Sequence, residues 1–192
     1  MLIMVDMQRD FLTEALPLPY DPSKLIKAIA QLILSYQGLV VAFQDEHPLG
    51  KDDPECKQIG VVHCVPGTDG HRFPKEIEDA IEYRKTKTDL PPVVFFKKNS
   101  FGGIKASADL VNYAHKFGKQ DDVYEFCGVA TSICVHDCVA GFYHAFKENL
   151  QELPKIRVFE NLVGDSDKEM AEYALKRMHK LYNAEISDEY LY

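Results

Sequence analysis

The stretch GVATSICVHDC, Gly128 to Cys138, decides how the chain is read. It follows an apolar run, Val123 to Cys127, rich in strand-forming residues. It opens an amphipathic pattern that continues to about Phe146 and suits a helix. Cys134 falls where that helix should start. A thiol there feels the unpaired N–H groups and the positive end of the helix dipole, which favour thiolate over thiol. The competing reading is a small buried hydrophobe, because free cysteines are among the most buried residues.

Outward from this stretch, short apolar runs alternate with helical patterns. Leu2 to Val5 meets Asp6 without alternation, as a strand buried on both faces does. Asp21 and Pro22 start a helix whose apolar positions run from Leu25 to Tyr36 and which Gly38 ends. Leu39 to Phe43 is a second buried strand, and Val93 to Phe96 a third. Residues 75–83 suit a short helix, and Ala106 to Phe117 a longer one closed by Gly118. Ile156 to Phe159 is a fifth strand. Ser166 and Glu169 form a capping box for a last helix reaching about Tyr182. The tail, Asn183 to Tyr192, suits an edge strand or a partner contact. The expected architecture is one α/β domain over residues 1–192, a doubly wound, mostly parallel sheet with helices on both faces.

The 192 residues are 46% hydrophobic and 27% charged, with a formal net charge of −8, which argues against a general nucleic-acid partner. No apolar run approaches the ~20 residues that span a bilayer, so no membrane partner is expected. The N-terminus lacks a basic n-region and reads as a first strand rather than a signal peptide. Five scattered cysteines without a CxxC pair suit reduced thiols and a cytoplasmic protein.

In a doubly wound sheet, ligands bind outside the carboxyl ends of the strands. Those ends carry Asp6, the pair Asp45 and His47, Lys98, and Cys134. Cys134 is the candidate nucleophile and Asp6 the candidate base that takes its proton. Lys98 is a cation able to lower the thiol pKa and keep Asp6 ionised. Lys97 is its rival, but neighbouring strand residues face opposite ways. Asp10 reads as structural. Asp45 and His47 share a strand face, and His63 joins them from the polar connection 48–74. Two imidazoles and a carboxylate suit Zn²⁺, or less selectively Mn²⁺ or Fe²⁺. Gly102 and Gly103 fit no phosphate-loop spacing and suit a tight turn.

MVDMQRDF, QDEHP, HCVPGTDG, KNSFGGI and CGVATSICV, in this order, resemble the isochorismatase-like hydrolases, and among them the nicotinamidases (pyrazinamidases). The resemblance runs from Leu2 to about Tyr182. It implies catalytic roles for Asp6, Lys98 and Cys134, metal ligation by Asp45, His47 and His63, and an oxyanion hole from the N–H groups of Ala130 and Cys134, often beside a cis peptide. Phe11 falls on an aromatic position that packs on the substrate ring. The chain departs from the pattern in its metal loop. Gly60 stands where many nicotinamidases carry a tryptophan, Glu46 where an aromatic is usual, and Asp53 where a second histidine is often found. Asp53, Glu55 and Cys56 all remain candidates for a fourth ligand.

The implied function is a metal-assisted cysteine amidase, nicotinamide to nicotinate plus ammonia being the leading case, with a small-molecule amide as partner. A homo-oligomer is compatible with the family and the Tyr-rich tail. The alternatives are an amidase for another small amide such as an N-carbamoyl compound, an isochorismatase proper, and a catalytically silent small-molecule-binding member of the fold.

Overall fold

The computed structural model describes residues 1–118 and 122–188. In chain order the elements are β1 (Leu2–Val5), α1 (Arg9–Leu12), α2 (Ser23–Ser35), β2 (Val40–Asp45), α3 (Pro54–Ile59), α4 (Lys75–Lys85), β3 (Val94–Lys98), α5 (Ile104–Phe117), β4 (Val123–Val129), α6 (His136–Leu150), β5 (Lys155–Gly164), α7 (Lys168–Tyr182) and β6 (Glu185–Ser187). The strands form one open parallel sheet in the order β3-β2-β1-β4-β5-β6. This is the doubly wound α/β sheet expected from the sequence, and β6 is its short edge strand. Residues 189–192, which carry the rest of the tail expected as a contact, lie outside the described residues.

The central strands are apolar because both faces are covered. Leu2 and Met4 of β1 point into a core shared with α2 and α4, and Ile3 and Val5 into one shared with α5, α6 and α7. Each buried apolar side chain of this size contributes roughly 1.5–3 kcal/mol. Arg84 of α4 is wholly buried and donates to the carbonyls of Ile33, Tyr36, Gly38 and Pro91, which ties α4 to the end of α2.

Several boundaries differ from expectation, among them α1, which was not expected, and three whose cause the structure shows. β5 runs on to Gly164 because Glu160 and Asn161 stay exposed while Leu162 and Gly164 are buried, a pattern that a short apolar window does not reveal. The connection 48–74 contains α3, started by a cap at Asp53 and a proline, a signal hidden within a polar stretch. α7 is capped by Asp167, whose side chain accepts from Met170 N, rather than by Ser166.

Gly128 lies in β4 at φ +122, and a Cβ there would sit 2.0 Å from the Val5 carbonyl oxygen. Only glycine lets β1 and β4 approach at the end that carries the site. Gly128→Ala is expected to lower unfolding free energy by at least about 3 kcal/mol in urea titrations. Gly67→Ala, at φ +87 with open space around the new Cβ, should lose only about 1–2 kcal/mol.

Candidate active site

Parallel register delivers the polar groups. Val5 lies opposite Phe43 and Gly128, and Asp45 opposite Lys98, so β1, β2, β3 and β4 end together. Asp6 follows β1 at φ +50, a conformation few non-glycine residues adopt, and is wholly buried. Lys98 closes β3, and its ammonium joins three groups. It lies 2.7 Å from Asp6 Oδ2 and 3.1 Å from Asp45 Oδ1, and donates to Cys134 Sγ at 3.8 Å. Lys97 points the other way and pairs with Glu46 at the surface. The alternation turns Lys98 toward Asp6, Asp45 and Cys134 and Lys97 away from them. It also takes Glu46, despite its place between Asp45 and His47, away from the buried cluster. Gly103 has φ +49, and a Cβ there would press on the Lys98 side chain at 2.9 Å, so the tight turn at Gly102–Gly103 leaves room for the lysine.

Cys134 sits in a π-helical turn, Thr131–Val135, that leads into α6. The Val129–Ala130 peptide before it is cis, as the resemblance implied. The Ala130 carbonyl accepts from Ile133 N and Val135 N. One expectation is corrected here. Burial raises the Cys134 thiol well above its ordinary pKa, and the neighbouring Lys98 only partly opposes that. Burial therefore favours the neutral thiol at rest. Burial also raises Asp6, to about 7, although Lys98 pulls it down, and the Cys134 thiol faces its carboxylate. A buried thiol beside a carboxylate of near-neutral pKa is an acid–base pair suited to proton exchange.

A cavity of about 200 Å³ opens above the thiol. Its lining includes Phe11, Leu18, Ile59, Phe101 and Ala130, with Cys134 in its wall. Phe11 also stands edge-on to the His63 ring, with centroids 5.4 Å apart. Gly60 ends α3, and Ile59 beside it supplies apolar wall to the cavity.

Asp45, His47, His63 and Glu55 bring one ligand atom each within 4.8 Å of one another. His47 Nε2 faces Asp45 at 2.9 Å and Glu55 at 3.5 Å, and His63 Nε2 faces the same two carboxylates at 3.6 and 3.8 Å. Behind the rings, His47 Nδ1 lies 3.1 Å from Asp53, and His63 Nδ1 lies 3.0 Å from the Val61 carbonyl. Both imidazoles thus aim Nε2 at one point, with the Val61 carbonyl behind His63 Nδ1 and the Asp53 carboxylate near His47 Nδ1, the kind of arrangement that orients metal-binding histidines. His63 Nε2 is buried without a hydrogen-bond partner, which a cation would satisfy. Burial opposes charge on both rings. The carboxylates nonetheless raise His47 to about 11 and His63 to about 10, so the cluster attracts positive charge strongly. The donor set fits a divalent ion such as Zn²⁺.

Of the three candidates for a fourth ligand, Glu55 has the geometry. Asp53 is engaged by Glu55 N, Cys56 N and His47, so it supports the ligands from outside. Cys56 Sγ lies 3.7 Å from His63 Nδ1, on the far side of that ring. Asp10 is structural, accepting from Cys64 N and Ala15 N. Two contributors had no signal in the sequence. Gln8 is buried, accepts from Asp45 N at 2.7 Å and donates to Asp45 O at 2.9 Å, gripping the strand end that carries the carboxylate. Asp165, beyond β5, accepts from Ser132 N in the nucleophile turn. The glutamine of MVDMQRDF and the long fifth strand could have pointed to them only with the topology known.

The isochorismatase domain model matches residues 1–189. No curated protein matches the sequence significantly. The solved pyrazinamidase/nicotinamidase of Streptococcus mutans UA159 is similar with a TM-score of 0.75 at 23% identity, covering 96% of this chain and 98% of that one. The nicotinamidase/pyrazinamidase of Bacillus subtilis gives 0.74 at 22% identity, covering 97% of each. The pyrazinamidase of Pyrococcus horikoshii, solved in complex with zinc, gives 0.72 at 27% identity, covering 98% of each.

In competition with a chromophoric chelator, Glu55→Gln is expected to weaken zinc binding most. Asp53→Asn, acting through His47 and the cap of α3, should weaken it by about 10–100-fold. Unchanged zinc affinity in both variants would exclude this four-residue centre.

Proposed function

The chain belongs to the isochorismatase family, and on that premise we propose that it is a metal-assisted cysteine amidohydrolase acting on a small, flat carboxamide, with nicotinamide the leading substrate. The observation that carries this reading is the Lys98 ammonium, which joins Asp6, Asp45 and Cys134 beside an apolar cavity. An isochorismatase reaction, the cleavage of an enol ether, needs no thiol nucleophile. The donor cluster of Asp45, His47, His63 and Glu55 favours a metal-using amidase over one without metal.

In the proposed reaction the substrate ring lies against Phe11 with its carboxamide over Cys134. Asp45, His47, His63 and Glu55 would hold a divalent cation, which would supply a Lewis acid beside the substrate ring. Asp6 takes the Cys134 proton as sulfur attacks the carboxamide carbon. Lys98 balances the charge that moves between sulfur and carboxylate. The N–H groups of Ala130 and Cys134 hold the oxyanion, each such donor contributing roughly 3–4 kcal/mol in enzymes of this kind. Asp6 then gives its proton to the leaving nitrogen, and ammonia departs from a thioester. Water enters, loses a proton to Asp6 and adds to the thioester carbon. Collapse releases the carboxylic acid, and Asp6 returns the proton to the thiol.

Ammonia release measured over a panel of aromatic and aliphatic amides tests the reading directly. Cys134→Ala should show no turnover, and a variant as active as the parent would end the thioester mechanism. Chelation should remove activity and Zn²⁺ or Mn²⁺ restore it. The pH profile follows from Asp6, which must be ionised to act as base. With its pKa raised to about 7, kcat/KM should rise through neutrality and fall about tenfold per unit below it. A profile flat from pH 5 to about 8 would remove Asp6 from that role.

A further inference from the structure

The corner between β5 and α7 touches the nucleophile turn at several points. Asp165 is 8% exposed and has a partner for each carboxylate oxygen. Oδ1 accepts from Asp167 N at 3.0 Å, inside its own corner. Oδ2 accepts from Ser132 N at 2.6 Å, in an element 33 residues earlier in sequence. Beside it, the buried Thr131 hydroxyl donates to the Gly164 carbonyl at 3.0 Å. Ser166, the next residue, lines the same cavity as Cys134. The cap of α7 is already supplied by Asp167 through Met170 N, so Asp165 is not needed for that purpose.

Ser132 lies between Ala130 and Cys134, the two residues whose N–H groups would hold the oxyanion. Thr131, Cys134 and Val135 are buried, whereas Ile133 is 42% exposed. Beside the Thr131–Gly164 bond, a charge-assisted hydrogen bond from Ser132 N to a carboxylate on another strand end restrains the middle of the turn. It also places a negative charge at the first turn of the helical segment, where the backbone dipoles favour it.

We propose that Asp165 is a positioning residue: by holding Ser132 N–H it keeps the Ala130 and Cys134 N–H groups aimed at the developing oxyanion. This rests on the amidase reading above, and the test separates the two. Two covalent probes of Cys134 differ in what they need. Alkylation by iodoacetamide displaces iodide at carbon and forms no oxyanion. Addition of the thiol to pyridine-3-carboxaldehyde gives a thiohemiacetal, with sulfur bonded to the former carbonyl carbon and the thiol proton passed to its oxygen or the nearby base. That oxygen occupies the position that the N–H groups serve.

Asp165→Ala should lower kcat by about 100-fold, as expected when reacting groups shift by about 1 Å. It should weaken aldehyde inhibition by a similar factor, while KM, zinc content and the alkylation rate stay at parental values. Asp165→Asn, which keeps one acceptor oxygen for Ser132 N–H, should recover part of both losses. If Asp165→Ala does not fold, the aldehyde-to-alkylation ratio of Asp165→Asn gives the same reading. An unchanged kcat and unchanged aldehyde inhibition overturn the proposal. So does a parallel fall in aldehyde addition and alkylation, which marks a general loosening of the site. Neither probe requires turnover. A parent protein that releases no ammonia would overturn the amidase reading, while the ratio of the two probes would still decide the role of Asp165.

Discussion

The site depends on one buried cation. Lys98 lies wholly inside the protein, between the carboxylates of Asp6 and Asp45 and against the sulfur of Cys134. An ammonium cannot be taken out of water at acceptable free energy without such partners. Two carboxylates brought this close would in turn repel each other without the lysine. Each group is therefore tolerable only because the others are present. Four strand ends must meet to make the arrangement, which ties the chemistry of the site to the closure of the sheet. Gly128 serves that closure by letting β1 and β4 approach.

The same group of charges sets protonation. Burial, the dominant influence on both Asp6 and Cys134, disfavours their charged forms, and Lys98 offsets this only in part. The resting pair is then a thiol beside a carboxylate of raised pKa, rather than a standing thiolate. A nucleophile generated only when a base accepts its proton suits a reaction in which the same proton is later delivered to the leaving nitrogen. The cluster of candidate metal ligands shares Asp45 with this network: Lys98 lies 3.1 Å from its Oδ1, and His47 Nε2 lies 2.9 Å from its Oδ2.

Much of this was legible along the chain. Buried parallel strands are apolar on both faces, so each run stops at its first necessary polar residue. Those stops mark Asp6 directly, and they fall one residue short of Asp45 and Lys98, at Gln44 and Lys97. The period-two alternation of a strand separates Lys98 from Lys97, and the helix start marks Cys134. The metal loop was less legible. Asp53, Glu55 and Cys56 lie within four residues, and only the short helix α3 turns Glu55 toward the histidines while engaging Asp53 as its cap. The fifth strand was read too short because its exposed middle interrupts the apolar run, and with it the corner carrying Asp165 was hidden.

The amino-acid sequence by itself determined the mostly parallel sheet, the alternation of its strands with helices and the kinds of group at its carboxyl edge, because these follow from local periodicity and from where apolar runs end. The tertiary structure decided which groups touch. It joined Gln8 to Asp45 across 37 residues and Asp165 to Ser132 across 33, and it decided that Cys134 rests as a thiol. Contacts between distant residues and the depth of burial are properties of the assembled fold. No local pattern encodes the desolvation that raises the thiol pKa at Cys134.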